Sequence, residues 1–278
     1  MKTKSFILLV LSCLISLNIS AQITKEKRKV EPFTKISSSA GIDVIFTQGS
    51  SHSLEVEADA KYIHKIESKV INGALELRWK DTDKLKNNKD VRSRKAYVSA
   101  PVLNEVKLSS GAGFGAKEIK SAEKFRVSVS SGADFKAEKI VSNENLNVSV
   151  SSGADFKAGK IITNGNLKVS VSSGADFKAE KIDSSDCDCD FSSSADYEVK
   201  DLNTRKLKLS MSSSSNAKIH LSKSESIDVS ASSSADLRLS GKTNDITIKC
   251  SSSADIDIKN LSYKTIKKSS SSAGKIRE

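Results

Sequence analysis

The pentapeptide Ser-Ser-Gly-Ala-Asp recurs, with small variations, through the second half of the chain. Its alanine position falls at residues 112, 133, 154, 175, 195, 215, 235 and 254, so successive repeats are 19 to 21 residues apart. A repeat of this length is typical of a solenoid, in which each repeat forms one coil and packs on its neighbours. A solenoid presents extended surfaces, which favours a binding role over catalysis.

Aligned on the alanine, the repeats carry apolar residues in fixed columns, with Ser, Lys, Asp or Glu between them. The column two residues after the alanine contains Phe114, Phe135, Phe156, Phe177, Tyr197, Ala217, Leu237 and Ile256. The columns four and six residues before it are apolar too, as at Val129 and Val127. This alternation with period two is typical of half-buried strands.

Short alternating strands and a period near 20 residues predict an all-β fold, a right-handed parallel β-helix with one repeat per turn. Like residues would stack about 4.8 Å apart, and eight turns would form a rod of roughly 40 Å. The left-handed form is disfavoured because it usually follows strict hexapeptides. A propeller would need about 40 residues per blade.

The Ser-Ser-Gly-Ala segment is predicted to be the corner of each turn. Glycines such as Gly132 permit positive φ there, although Ser194 takes the same place in a later turn. The serines form ladders whose hydroxyls can hydrogen-bond along the stack. The ladder residues that we interpret as structural are Ser130, Ser151, Ser172 and Ser192.

A column of aspartates, including Asp134, Asp155 and Asp176, follows the corners. Stacked carboxylates are potential calcium ligands. However, a column of mostly lysines lies two residues further along on the same face, and mixed charges offset the repulsion between carboxylates. We therefore interpret the aspartates as a structural ladder, and we predict no metal site and no cofactor.

The ends of the chain differ from the repeats. Residues 1–21 indicate a secretory signal peptide, with basic residues, an apolar stretch and then Ser20-Ala21 before the cleavage position; a lipoprotein signal at Cys13 is the alternative. Residues 22–32 are predicted to be a flexible lead, and residues 267–278 a polar end. The chain is expected to be exported to the periplasm, outer surface or medium of a Gram-negative bacterium, with no transmembrane segment.

Residues 33–107 are predicted to form an N-terminal β region that caps the solenoid, and residues 108–266 the β-helix itself. Alternating residues on either side of residues 48–51 predict one hairpin. Asn72-Gly73 between two apolar runs predicts a second, with a type I′ turn. Such a cap is needed because an open end would expose strand edges to other chains.

The three cysteines that follow the signal, Cys187, Cys189 and Cys250, all fall in inward-facing columns. Cys189 and Cys250 lie three turns apart, too far for a disulfide, whereas Cys187 and Cys189 are two apart on one strand, where a bridge would be strained. We interpret all three as small buried hydrophobes.

A basic segment follows the second hairpin. Its candidate contacts for an anionic ligand are Lys80, Lys84, Lys86, Lys89, Arg92, Arg94 and Lys95. The alternative interpretation is a solvated loop. The formal net charge of the chain is +11, which attracts anionic partners. The partners expected are a cell-surface glycan or an envelope protein. Nucleic acid is not expected, because the chain is exported and its aromatic column points inward.

Several short segments follow one another in an order that resembles the bacterial head GIN domain family, an auto-transporter adhesin domain of unknown function. They are Phe33-Thr34-Lys35-Ile36, Ala40-Gly41-Ile42-Asp43-Val44, Thr47-Gln48-Gly49, Asn72-Gly73-Ala74-Leu75-Glu76-Leu77, and Ala100-Pro101 with Leu103, before the corner repeats. The resemblance covers roughly residues 33–260. It implies a right-handed β-helix without catalytic residues and a role in adhesion. The Gly-Ile-Asn of the name is Gly41-Ile42-Asp43 here, and no ligand site is carried over.

We therefore predict a non-enzymatic β-helix of the cell surface or medium, with an adhesive, binding or envelope-structural role. The alternative is a polysaccharide-acting enzyme similar to the β-helical lyases. Lyases cluster acids with an Arg or Lys, whereas the polar residues here repeat. The largest interruption, at residues 186–190, supplies acids but no base of its own. We predict no catalytic residues.

Overall fold

Alternation of apolar and polar residues gives almost every segment of this chain the pattern of a strand. The computed structural model describes residues 22–80 and 93–278, and it is a β-solenoid of about nine turns with about 20 residues per turn. The predicted fold class is therefore confirmed. The strands are β1 (Ile23–Arg28), β2 (Lys35–Ser38), β3 (Asp43–Gln48), β4 (Ser53–Asp59), β5 (Ile66–Ile71), β6 (Ala74–Trp79), β7 (Arg94–Ala100), β8 (Glu105–Leu108), β9 (Gly113–Ser121), β10 (Phe125–Val129), β11 (Asp134–Ser142), β12 (Leu146–Val150), β13 (Asp155–Thr163), β14 (Leu167–Val171), β15 (Asp176–Phe191), β16 (Asp196–Met211), β17 (Asn216–Lys223), β18 (Ser226–Ala231), β19 (Asp236–Lys242), β20 (Asp245–Cys250), β21 (Asp255–Ser262), β22 (Thr265–Ser270) and β23 (Lys275–Arg277).

The turns build two stacks of parallel strands. The first stack runs β6, β2, β8, β10, β12, β14, then the second halves of β15 and β16, then β18, β20 and β22. The second stack runs β7, β3, β9, β11, β13, the first halves of β15 and β16, then β17, β19, β21 and β23. Through most of both stacks the register pairs each residue with its counterpart one repeat away.

This register places a column of aromatic rings in the core. The column contains Phe114, Phe135, Phe156, Phe177 and Tyr197, and successive ring centroids lie 5.1, 4.8, 4.7 and 4.8 Å apart. The ring of Phe46 stacks on Phe114 at 5.9 Å, although the residue in register with Phe114 is Val44. Stacked aromatic pairs contribute about 0.5–1.5 kcal/mol each beyond the area they bury. Cys187, Cys189 and Cys250 are buried free thiols, and the Sγ atoms of the first two are 3.4 Å apart.

Each corner consists of two consecutive residues with left-handed backbone. The pairs in the described residues are Ala40-Gly41, Ser110-Gly111, Ser131-Gly132, Ser152-Gly153, Ser173-Gly174, Ser193-Ser194, Ser213-Ser214, Ser233-Ser234, Ser252-Ser253 and Ser272-Ala273. The second residue of each pair donates its N–H to the carbonyl of the first residue one turn further on, at 2.9–3.1 Å from Gly41 to Ser253. The backbone, with small side chains on its outer side, therefore holds the corner. Of the four ladder serines, Ser130 donates to the Leu108 carbonyl at 3.5 Å.

The N-terminal region departs from the coil, and one predicted hairpin is wrong. β5 and β6 form the predicted antiparallel hairpin, with Asn72 and Gly73 at positive φ. In contrast, β3 and β4 do not pair with each other, because β7 lies between them, parallel to β3 and antiparallel to β4. The sequence could not indicate this arrangement, since β7 is brought in by a return of the chain from beyond residue 92.

Strands occur at both ends of the described residues, where a flexible lead and a polar end were expected. Residues 22–32 were expected to be a flexible lead, but Ile23–Arg28 form β1, which pairs antiparallel with β4. Residues 267–278 complete β22 and form β23, the last turn, which has its own corner at Ser272-Ala273. Lys268 of the last turn is in register with Ile248 of the preceding turn. A charged residue there disfavours addition of a further strand.

The left-handed corners make a prediction about two matched glycines. At both Gly153 and Gly115 an added Cβ would meet no atom within 4 Å, but only Gly153 has positive φ, +66°. We expect Gly153→Val to lower the free energy of unfolding by about 1–2 kcal/mol, the usual cost of left-handed backbone for a residue with a Cβ. Gly115→Val should change it by less than about 0.5 kcal/mol. Urea unfolding followed by circular dichroism measures both, and equal losses would show that space, not φ, sets the glycine requirement.

Candidate binding groove at the N-terminal cap

The outward-facing side chains of the second stack also form columns, and one of these columns changes from charged to uncharged residues at the cap. In the repeats this column carries Lys136, Lys157 and Lys178. Towards the N-terminus the same column continues as Gly115 and Ile45. Long charged side chains are thus replaced by a hydrogen atom and by an isoleucine that is 38% exposed.

Beyond Ile45 the column continues through the antiparallel strands. Ile45 is in register with Tyr97, Tyr97 with Glu55, and Glu55 with Lys27. A parallel column beside it carries the short side chains of Thr47 and of two serines on β7 and β4. Short side chains in two adjacent columns leave a depression across the strands.

We define the N-terminal groove as the two adjoining cavities on this surface, which share Ile45 and Thr47. The cavity over Gly115 has a volume of about 560 Å³, and the one over Tyr97 has a volume of about 640 Å³. Together they cross β1, β4, β7, β3, β9 and β11, five strand spacings or roughly 24 Å.

Hydrogen bonds fix the walls of the groove. The amide of Gln48 donates to the carbonyls of Pro101 and Lys120 at 3.0 and 2.8 Å, and its oxygen accepts from the Lys120 N–H at 2.7 Å. On the other side, Glu57 accepts from the Ser93 and Tyr97 hydroxyls, both at 2.9 Å. The groove is therefore largely preformed.

The Glu57 carboxylate accepts two hydrogen bonds and lies within 3.6 Å of two lysines. Its burial favours the neutral form, but the hydrogen bonds from Ser93 and Tyr97, with Lys95 and Lys25 nearby, outweigh burial and hold the pKa of Glu57 below its ordinary value. Lys25 also lies over the Tyr97 ring, 4.3 Å from its centroid. This network joins β1 to β4 and β7, and it explains why a charged N-terminal segment is ordered as a strand.

Four lysines border the groove without a charge partner in the described residues: Lys27, Lys29, Lys117 and Lys136. Most other charges of the groove are paired. Lys120 lies 3.0 Å from Glu118, and Lys25 lies 3.2 Å from Glu55. Glu138 is an acid of the groove without an ion pair, so the unpaired charges are four positive and one negative.

The structure separates the seven basic residues predicted to bind an anion. Lys84, Lys86, Lys89 and Arg92 lie outside the described residues. Lys80 is exposed. Arg94 is partly buried, with its guanidinium 4.6 Å from the Trp79 ring centroid and bonded to the Ala40 carbonyl. It therefore has a structural role at the first corner.

Of the three described members of this set, Lys95 lies on the same strand as Tyr97 of the groove. It lies 3.6 Å from Glu57 and is in register with Asp43. Asp43 covers Gly113, where a Cβ would overlap its carboxylate. Burial raises the pKa of Asp43, while Lys95 and the Gly113 N–H oppose that rise.

Sequence reasoning missed the groove, although two signals were present. Ile45 is an apolar residue in an outward position between Val44 and Phe46, which point inward. Gly115 interrupts a column that otherwise carries lysine in the early repeats. Tyr97 gave no signal, because its place beside Ile45 depends on the insertion of β7.

The predicted aspartate ladder is in register, and it is partly charge-paired. Asp155 and Asp176 lie 3.7 and 3.4 Å from Lys157 and Lys178. Asp134 makes no such ion pair, and burial together with the Asp155 carboxylate raises its pKa. Within residues 22–80 and 93–278, no group of three or more His, Cys, Asp or Glu side chains is placed to hold a metal ion.

The acidic stretch at residues 186–190 lies beside basic residues of the next turn. Asp186 accepts a hydrogen bond from Arg205 at 2.6 Å, and Lys206 and Lys208 are in register with Asp186 and Asp188. The acids are thus distributed along cross-strand pairs and are not gathered around one point.

The raised pKa of Asp134 predicts a pH-dependent mutational effect. A carboxyl whose pKa is higher in the folded than in the unfolded state lowers stability when it ionises. The loss begins as pH rises past the unfolded pKa of Asp, about 3.9, and is complete above the folded pKa. We expect Asp134→Asn to raise the free energy of unfolding at pH 7 by about 0.2–1 kcal/mol and to have no effect at pH 3. Asn216 provides the precedent in the same column, since it donates to Asp196 at 2.9 Å.

Urea unfolding of the variant and the parent at both pH values measures this effect. Asp255→Asn is the matched control, because Asp255 is paired with Arg277 and its loss should give no gain. An equal gain at pH 3 and pH 7 would contradict an electrostatic origin.

Comparison with known proteins bears on the fold and on the family. The described part contains no helix long and apolar enough to cross a membrane. No curated protein matches the chain. Among solved structures, a "putative adhesin" from Parabacteroides merdae matches with a TM-score of 0.67 and 14% identity, covering 93% of this chain and 96% of that chain.

Two further solved structures share the fold. A "putative lipid binding protein" from Parabacteroides distasonis has a TM-score of 0.69 and 16% identity, and covers 93% of this chain and 97% of its own. A "putative adhesin" from Bacteroides fragilis has a TM-score of 0.57 and 17% identity, and covers 90% and 98%. At these identities the likeness shows the fold alone.

The family model described as "Putative auto-transporter adhesin, head GIN domain" matches residues 32–204 and 198–277. These two matches span the repeats and the cap from residue 32 onward, and β1 with Lys27 and Lys29 precedes them. The chain therefore belongs to the head GIN domain family.

Proposed function

We propose that this protein is a non-enzymatic binding module, exported to the cell surface or its surroundings, that attaches to a surface glycan. The solenoid acts as a rigid scaffold, and the N-terminal groove is the binding site. The observation that carries the proposal is the replacement of long outward side chains by Gly115, Ile45 and Thr47 at the one end where unpaired lysines border the gap.

The rest of the described surface supports a scaffold role. Along the repeats, several carboxylates and lysines are paired within or between turns, as with Lys181 and Asp201 at 2.9 Å or Lys200 and Glu180 at 2.8 Å. Exposed pairs of this kind contribute little to stability, but they keep a long surface soluble. The family description and the names of the structural relatives are those of adhesins.

The non-enzymatic assignment rests on how the polar groups are placed. General acid–base catalysis needs an acid and a base that converge on one reacting atom. Here the acids of the interrupted repeat face bases of the next turn in ordinary cross-strand pairs. The groove itself contributes unpaired lysines and one unpaired acid, Glu138, which suits holding an anion.

The proposal is tested by two measurements on the chain from residue 22 onward. On a glycan array, the labelled protein should bind a restricted set of glycans. Incubation with polygalacturonate, alginate or heparin should yield no increase in the ultraviolet absorbance that marks an unsaturated product. A steady increase would establish lyase activity and overturn the non-enzymatic assignment, and absence of binding across the array would overturn glycan attachment.

A further inference from the structure

We propose that the N-terminal groove binds a segment of an acidic polysaccharide, one that carries carboxylate or sulfate groups along its length. This inference rests on the proposed function and deepens it, because it names the class of glycan and the residues that select it. Charge complementarity, the lining of the groove and its shape each support it.

The charge of the groove selects an anion. Lys27 and Lys29 border one end, and Lys117 and Lys136 the other, all exposed and without an ion-pair partner in the described residues. An unpaired lysine at the surface loses no existing partner when it meets a ligand anion. The lysine pairs lie on opposite sides of Tyr97 and Ile45, so a ligand that contacts both pairs must carry repeated charge.

The lining of the groove suits a saccharide. Between the two lysine pairs lie the side chains of Tyr97, Ile45 and Thr47, with the hydroxyls of Ser53 and Ser99 beside them. Sugar-binding surfaces combine apolar contacts for ring faces with a few polar groups that fix orientation. A hydroxyl-rich ligand can bond the Thr and Ser side chains while its anionic groups meet the lysines.

The shape of the groove favours a chain over a compact anion. Its two open cavities adjoin at Ile45 and Thr47 and together cross six strands, roughly 24 Å, so neither is a closed pocket for a single phosphate. Gly115 forms the floor of one cavity, where nothing lies within 4 Å of an added Cβ. A larger residue there would fill the cavity without disturbing the backbone.

The experiment measures binding of heparin and polygalacturonate oligosaccharides to the chain from residue 22 onward, with neutral dextran as the negative control. Calorimetry gives Kd at low and at physiological salt. We expect both acidic oligosaccharides to bind, dextran not to bind, and affinity to fall as salt rises, because salt screens exposed charge.

Two double variants with the same change of charge locate the site. Lys117→Gln with Lys136→Gln should weaken binding by about tenfold, equivalent to about 1.4 kcal/mol. Lys168→Gln with Lys208→Gln removes two exposed lysines from the first stack, which also lack ion pairs, and should change Kd by less than about twofold. Equal weakening in both variants would show diffuse attraction to a basic rod and overturn the assignment to the groove.

Filling the groove gives a test that does not alter charge. Gly115→Leu should weaken binding at least fivefold while the circular dichroism spectrum and unfolding midpoint stay close to those of the parent. Unchanged affinity would overturn the role of the cavity over Gly115. Sedimentation with phosphatidylglycerol vesicles tests a lipid surface as the alternative anion. If the protein binds only these vesicles, or only neutral glycans on the array, the acidic-polysaccharide inference fails; in the neutral-glycan case the proposed glycan-binding function stands.

Discussion

Each turn of this solenoid is joined to the next turn by backbone hydrogen bonds between parallel strands. Every side chain therefore has its own counterpart about 4.8 Å above and below, and each column must tolerate its own repetition. Phenylalanines meet this condition well, because parallel rings with centroids 4.7–5.1 Å apart adopt the offset stacking that aromatic pairs prefer. Small residues meet it at the corners, where two consecutive residues have left-handed backbone, a conformation that larger side chains rarely adopt.

The same condition is unfavourable for charged columns. A run of carboxylates repels itself, and the chain reduces this repulsion in two ways: adjacent lysines pair with Asp155 and Asp176, and Asn216 interrupts the run. Asp134 has no ion pair, and burial with the Asp155 carboxylate raises its pKa. Because these devices produce a regular, neutralised surface, the repeats themselves offer little that distinguishes one turn from the next. Specific recognition needs a place where the columns stop repeating.

The cap provides such a place for a reason of topology. β7 enters between β3 and β4, and β1 adds beyond β4, so the outward columns pass from parallel to antiparallel strands. The rule that each residue faces its own counterpart no longer holds there, and Gly115, Ile45 and Tyr97 can differ from their neighbours. The groove results from this change, and the Gln48 and Glu57 hydrogen bonds keep it open.

The sequence by itself determined the all-β solenoid, the length of its turn, the inward columns and the corners, since each of these is a local pattern repeated at a fixed period. It also indicated the Asn72-Gly73 hairpin, because a two-residue turn of this type is a local signal. It did not determine the position of β7, the pairing of β1 or the groove that follows from them. Those depend on contacts between residues about 30 to 70 positions apart that occur once and leave no period, and only the tertiary structure decided them.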